Sequence, residues 1–174
     1  MTELVEGELC FSFPAHLEVE FFDRRGRSFP HGVRPVDFIV SDGKTLYQIE
    51  VKDPSCSQVP ESERAGFLKK MRTRELTHEE LVPKARGTYT YLHLMERDDR
   101  PMVYVVVIGI ERLSIQPLLL MQLRDRLAAR LRREADEPWK RVYLSDCVVI
   151  TPADLGKVIP GASVRRTTET GGPL

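Results

Sequence analysis

The chain has only three cysteines, Cys10, Cys56 and Cys147, an odd number without C-x-x-C spacing. That pattern excludes a disulfide framework or a zinc ribbon and reads as reduced thiols in a cytoplasmic protein. Net charge is also missing, because 26 Lys and Arg balance 26 Asp and Glu. The protein is therefore no bulk polycation, and any grip on nucleic acid must come from a local basic surface or from a partner. There is no long apolar run either. The longest, residues 102–110, falls well short of the about 20 residues a spanning helix needs, so no membrane association is expected. The opening M-T-E-L-V-E-G-E lacks the basic and apolar regions of a secretory signal. Internal repeats, a phosphate-cradling G-x-x-x-x-G-K and a nucleophile elbow are all absent from the sequence.

What remains is an ordinary globular composition, 41% hydrophobic and 30% charged over 174 residues. That length suits one domain with a substantial core. The reading assigns residues 1–160 to the domain and residues 161–174, with Gly161, Gly171, Gly172 and several threonines, to a flexible tail.

One stretch organises the rest: residues 34–53, R-P-V-D-F-I-V-S-D-G-K-T-L-Y-Q-I-E-V-K-D. Two β-type runs, 36–40 and 45–52, flank Asp42-Gly43, and an Asp-Gly pair between alternating runs signals a type I′ hairpin. A two-residue loop sets Asp37 opposite Gln48 and diagonal to Glu50. Alternation then gives one apolar face of Val36, Phe38, Val40, Thr45, Tyr47, Ile49 and Val51. The other face carries Asp37, Ile39, Leu46, Gln48, Glu50 and Lys52. Two carboxylates in cross-strand reach can share a hard divalent cation. Such an ion stabilises charge developing on a phosphodiester and acidifies a bound water. Lys52 shares the face of Glu50 and can orient that water, and the Val51 carbonyl is a further possible ligand.

At these residues the chain resembles the PD-(D/E)xK nuclease superfamily, through Pro35-Val36-Asp37, with one residue inserted between the Pro and the Asp, and Glu50-Val51-Lys52. The resemblance covers roughly the first half of the chain. It implies an α/β fold, a restriction-endonuclease-like mixed sheet flanked by helices. It implies that Asp37 and Glu50 bind Mg2+ or Mn2+ and that Lys52 assists water attack. Members of the superfamily often add an acidic ligand upstream, for which Glu20 is the candidate and Glu18 the runner-up. As plain sequence, both are also solvent-facing charges on an edge strand. A further functional residue often sits on the helix after E-x-K, which points to Lys84, otherwise a surface lysine.

The remaining segments frame that site. Residues 17–23 read as a strand, with a short helix begun at Pro14 as the alternative. His31, just before the acidic strand, is placed either to contact a scissile phosphate or as a loop residue without a role. A helix is expected from Glu61 to about Met71. A second follows Thr77, where T-H-E-E has the form of a capping box. Lys69, Lys70, Arg72, Arg74, Lys84 and Arg86, near Tyr89 and Tyr91, form a candidate nucleic-acid surface, although Glu61, Glu63, Glu75, Glu79 and Glu80 offset it. The β-branched run 102–110 predicts a central strand covered on both faces. Residues 117–133 form an amphipathic helix with Leu120, Leu123, Leu127 and Leu131 inward, and Leu118, Leu119 and Met121 offer a possible homodimer seam. A last strand is expected in 139–150, followed by a short helix capped at Thr151.

The expected function is metal-dependent hydrolysis of phosphodiesters in nucleic acid, DNA favoured over RNA, with defence or repair suggested by the resemblance alone. The alternative is a non-catalytic nuclease-fold subunit that binds or assembles with a partner protein.

Overall fold

A computed structural model of the chain describes residues 1–133 and 136–167. It is a mixed α/β protein with two sheets and four α-helices among the described residues. The larger sheet has five strands in the order β3 (Glu18–Phe21), β4 (Phe38–Ser41), β5 (Leu46–Lys52), β6 (Met102–Ile108) and β7 (Asp146–Ile150). β3, β4 and β5 are antiparallel, while β5, β6 and β7 are parallel. Parallel neighbours need crossovers. The first passes through α1 (Glu61–Arg72) and α2 (Val82–Leu94), the second through α3 (Pro117–Arg132). A smaller antiparallel sheet joins β1 (Thr2–Glu6), β2 (Leu9–Phe13) and β8 (Ser163–Arg166).

The layers follow from side-chain alternation. Phe38, Val40, Tyr47, Ile49, Val51, Val105 and Val107 face the small sheet and α4 (Leu155–Val158). Ile39, Leu46, Met102, Tyr104, Val106 and Ile108 face α1, α2 and α3. β6 is thus buried on both faces, as its composition predicts. Within the expected strand 17–23 the structure forms β3 over Glu18–Phe21 and no helix, and Leu17, Val19 and Phe21 all pack toward the small sheet.

Several expectations need correction. The hairpin loop has four residues, since Ser41 pairs with Leu46. The Asp42 carboxylate accepts the amides of Lys44 (2.8 Å) and Thr45 (2.7 Å), an Asx arrangement that replaces the type I′ turn. Among these loop residues only Gly43 has positive φ. The register moves by two, so the paired residues 38–41 and 46–49 keep their faces, but its continuation sets Asp37 opposite Glu50 instead of Gln48. Val36 leaves the expected face and packs with the helices. Arg141–Leu144 lies outside the sheet, and β7 begins at Asp146.

The expected tail is structural as far as the chain is described. β8 pairs with β2, and Arg166 fastens it to Asp53 (2.8 Å), Glu8 (3.2 Å) and Glu111 (2.9 Å). Residues 168–174 of that expectation lie outside the described residues.

The helical crossover also differs. Thr77 caps nothing: it is buried, its hydroxyl has no hydrogen-bond partner among the described residues, and it lies inside a π-helical turn, Leu76–Leu81, that runs directly into α2. Pro83 explains the irregularity, because a proline has no N–H to donate to the carbonyl four residues back. That carbonyl, Glu79, accepts the Arg34 guanidinium instead, at 2.6 Å. One turn on, Gly87 lets the Arg34 backbone approach so closely that a Cβ there would lie 2.8 Å from the Arg34 nitrogen. Thr88 then accepts the Val36 amide at 2.9 Å. At its far end α1 is closed by Arg126 of α3, which donates to the carbonyls of Met71, Arg72 and Thr73.

Two outcomes test this frame. Gly87→Ala should lower unfolding free energy by about 1–3 kcal/mol through overpacking, despite the better helix propensity of alanine. Arg166→Met should lower stability by taking the shared cation from Glu8 and Asp53. Urea titration checks both, and unchanged midpoints would contradict the packing described.

Candidate metal centre

The site grows from a conflict on β5. Alternation sends Gln48, Glu50 and Lys52 to the side of Ile39 and Leu46, and that side lies beneath helices. Glu50 is consequently 0% exposed. A buried carboxylate is expensive unless charge or hydrogen bonds offset it. Two lysines do so from different elements. Lys84, in the first turn of α2, puts its Nζ 2.8 Å from Glu50 Oε1 and 3.7 Å from Asp37 Oδ1. Lys52 Nζ lies 3.2 Å from the same Glu50 oxygen and 3.0 Å from Glu80 Oε2, while Lys70 holds Glu80 at 2.9 Å. Both Glu50 oxygens are buried without a hydrogen bond among the described residues, and the lysines meet Oε1 as ion pairs.

Asp37 is held from several sides. Its Oδ2 accepts the Val51 amide at 2.6 Å, and its carbonyl accepts the amides of Phe22 (2.8 Å) and Asp23 (3.3 Å). The N–H and C=O of one strand residue leave by the same edge. The Val51 carbonyl therefore points toward Asp37, past the end of β4. Burial raises the Glu50 carboxyl to about 7, with Asp37 adding to the rise and the two lysines opposing it. For Lys84, burial favours the neutral amine, but Glu50 and Asp37 outweigh it and keep the ammonium above its ordinary value.

The structure thus brings Asp37, Glu50, Lys52 and Lys84 together, with the Val51 backbone alongside. Glu20 does not join them: its carboxylate is bound by Arg27 and Arg97. Glu18 is exposed on β3, and His31 is exposed in the loop before β4. Two acids absent from the sequence expectations lie nearer the cluster. Glu6 and Asp23 are both raised by burial and by Asp37, with Lys84 acting against the rise. No local pattern points to them, since the β1–β2 turn and the end of β3 reach the site only through the tertiary fold. Glu80 was expected only as a capping and charge-offsetting residue, although its place four residues before Lys84 is a signal that could have found it.

The basic set divides. Lys84 points inward and Lys70 pairs with Glu75 and Glu80, whereas Lys69, Arg72 and Arg74 are exposed and Arg86 is half-buried. A separate group, Glu8, Asp53 and Cys56, brings three possible ligand atoms within 4.8 Å of one another. Arg166 already occupies its two carboxylates. Hydrogen bonds from Ser57 hold Glu8 down at about 2. It is a clasp between β8, the β1–β2 turn and the loop after β5.

Comparisons of the chain with protein-family models, with curated proteins and with solved structures find no match. The site's own donor set suits a hard divalent cation: a carboxylate oxygen from Asp37, the Glu50 carboxylate and a backbone carbonyl are all oxygen ligands.

The Glu50 shift fixes a sign. Between about 4.5 and about 7 the folded chain holds a proton that the unfolded chain has released. The metal-free protein therefore loses stability as pH rises through that window and carries the full cost above it. Denaturation in chelator at pH 5 and pH 8 should show a loss on the order of 3 kcal/mol in the native protein that Glu50→Gln lacks. Identical pH slopes in the two proteins would contradict the assignment.

Proposed function

We propose that this chain is a metal-dependent nuclease of the PD-(D/E)xK kind, hydrolysing phosphodiester bonds in nucleic acid, DNA in preference to RNA. The observation that carries the reading is the meeting of Asp37 and Glu50 on one face of the β4–β5 hairpin, with Lys52 beside them. The arrangement of hairpin, helical crossover and parallel strand supports a restriction-endonuclease-like core. Asp37 and Glu50, with the Val51 carbonyl, would hold Mg2+ or Mn2+. When bound, such an ion supplies Lewis-acid stabilisation of phosphoryl charge and a more acidic water. Lys52, pinned between Glu50 and Glu80, keeps one ammonium aimed at the place where the nucleophile and the phosphate oxygens meet. The exposed Lys69, Arg72 and Arg74 of the α1 end supply charge for the backbone.

A second reading, a non-catalytic nuclease-fold subunit working with a partner protein, is favoured by one observation. Lys84 already forms ion pairs with both carboxylates without a metal.

Incubation of the purified protein with single- and double-stranded DNA and RNA, with and without Mg2+ or Mn2+, separates the two. Cleavage should require metal, and Lys52→Ala should slow it at least about 100-fold with the fold intact. Cleavage by Lys52→Ala at the native rate would remove the chemistry from this site. Metal affinity should also rise with pH and level off above about 7, as Glu50 ionises.

A further inference from the structure

We propose that Lys84 is the resident cation of this site: its ammonium holds the seat between Asp37 and Glu50, and a divalent ion enters only by displacing it. The inference rests on the metal-dependent reading above and concerns how the metal is admitted.

The geometry is that of a stand-in. One nitrogen reaches both carboxylates, at 2.8 Å from Glu50 and 3.7 Å from Asp37. Glu50 already has two ammonium groups beside it, and Asp37 shares one of them. A divalent ion therefore gains less attraction until Lys84 leaves. The two lysines are not equivalent. Lys52 is tied on its far side by Glu80, itself held by Lys70, whereas the ion pairs of Lys84 run only to Asp37 and Glu50 among the described residues. Lys84 is also anchored only by its backbone, between buried Val82 and Ala85, and its side chain is 22% exposed. Its head can swing to solvent while α2 stays in place.

The ammonium is an imperfect occupant, which is why it can be replaced. It meets Glu50 as an ion pair at Oε1, and both buried oxygens of that carboxylate lack a hydrogen bond among the described residues. An ion that takes six or so oxygen ligands can bond such a carboxylate directly. The freed Lys84 stays tethered beside the site, where a phosphodiester is the natural partner for its charge.

The test is Mn2+ titration by calorimetry at pH 8, on the native protein, Lys84→Met, Lys84→Gln and Glu50→Gln. Both Lys84 variants should bind Mn2+ at least tenfold more tightly than the native protein, and Glu50→Gln should bind none. Equal or weaker binding by the folded Lys84 variants, with Mn2+ bound by the native protein, overturns the proposal and leaves the nuclease reading standing. Failure of all four proteins to bind millimolar Mn2+ removes that reading and the proposal with it. If neither Lys84 variant folds, the native protein decides. Its Lys84 ammonium resonance must lose protection from exchange as Mg2+ is added, and a resonance unchanged at saturating Mg2+ overturns the proposal.

Discussion

A carboxylate with no solvent exposure, on the central strand of a five-stranded sheet, sets the terms for everything near it. Glu50 cannot remain ionised there without compensation, and no single neighbour supplies enough. One lysine comes from its own strand two residues on, and another comes from the helix laid across that strand. The helix must present Lys84 at that depth, and Asp37 must reach the same nitrogen from the adjacent strand. The site and the αβ packing are therefore one problem with one solution. The sheet face would be an ordinary apolar core if positions 37, 50, 52 and 84 were aliphatic.

The crossover shows how that placement is achieved. A regular helix from residue 76 onward would put Pro83 in its interior, with a clash and a lost hydrogen bond worth about 3 kcal/mol. The π-turn widens the coil just before the proline and removes the conflict. Leu76, Leu81, Val82 and Ala85 still face the core, so packing survives the change of phase. In the same turn Glu80 comes to rest against Lys52 and Lys70. Irregular backbone here serves side-chain placement, and its orphaned carbonyl is not left empty.

Much of this was legible in the sequence because period two survives errors of register. The faces of residues 38–52 depend only on parity, so a wrong loop length still places Asp37, Glu50 and Lys52 together. The loop itself was misjudged because the Asp42 side chain captured two amides that a type I′ turn would leave free. Thr77 was misread as a cap because a helical phase shift leaves no mark in composition. Residues 163–166 looked too glycine- and threonine-flanked to order, but their pairing with β2 and the Arg166 clasp act at long range. For the same reason Glu6 and Asp23 were invisible as neighbours of Asp37. Lys84 was picked out by its position on the helix, whereas its partners required coordinates.

The bond between Arg34 and the Glu79 carbonyl gears two parts of the molecule together. Arg34 stands three residues before Asp37 on the approach to β4, and Glu79 is the immediate neighbour of Glu80, the anion that steadies Lys52. The same approach segment is braced against α2 by the Thr88–Val36 bond and the close Gly87–Arg34 backbone contact. The strand-side acid and the helix-side anion therefore sit on one braced frame. A mutation at Arg34, outside every charge contact in the site itself, would remove one of these ties and leave the others.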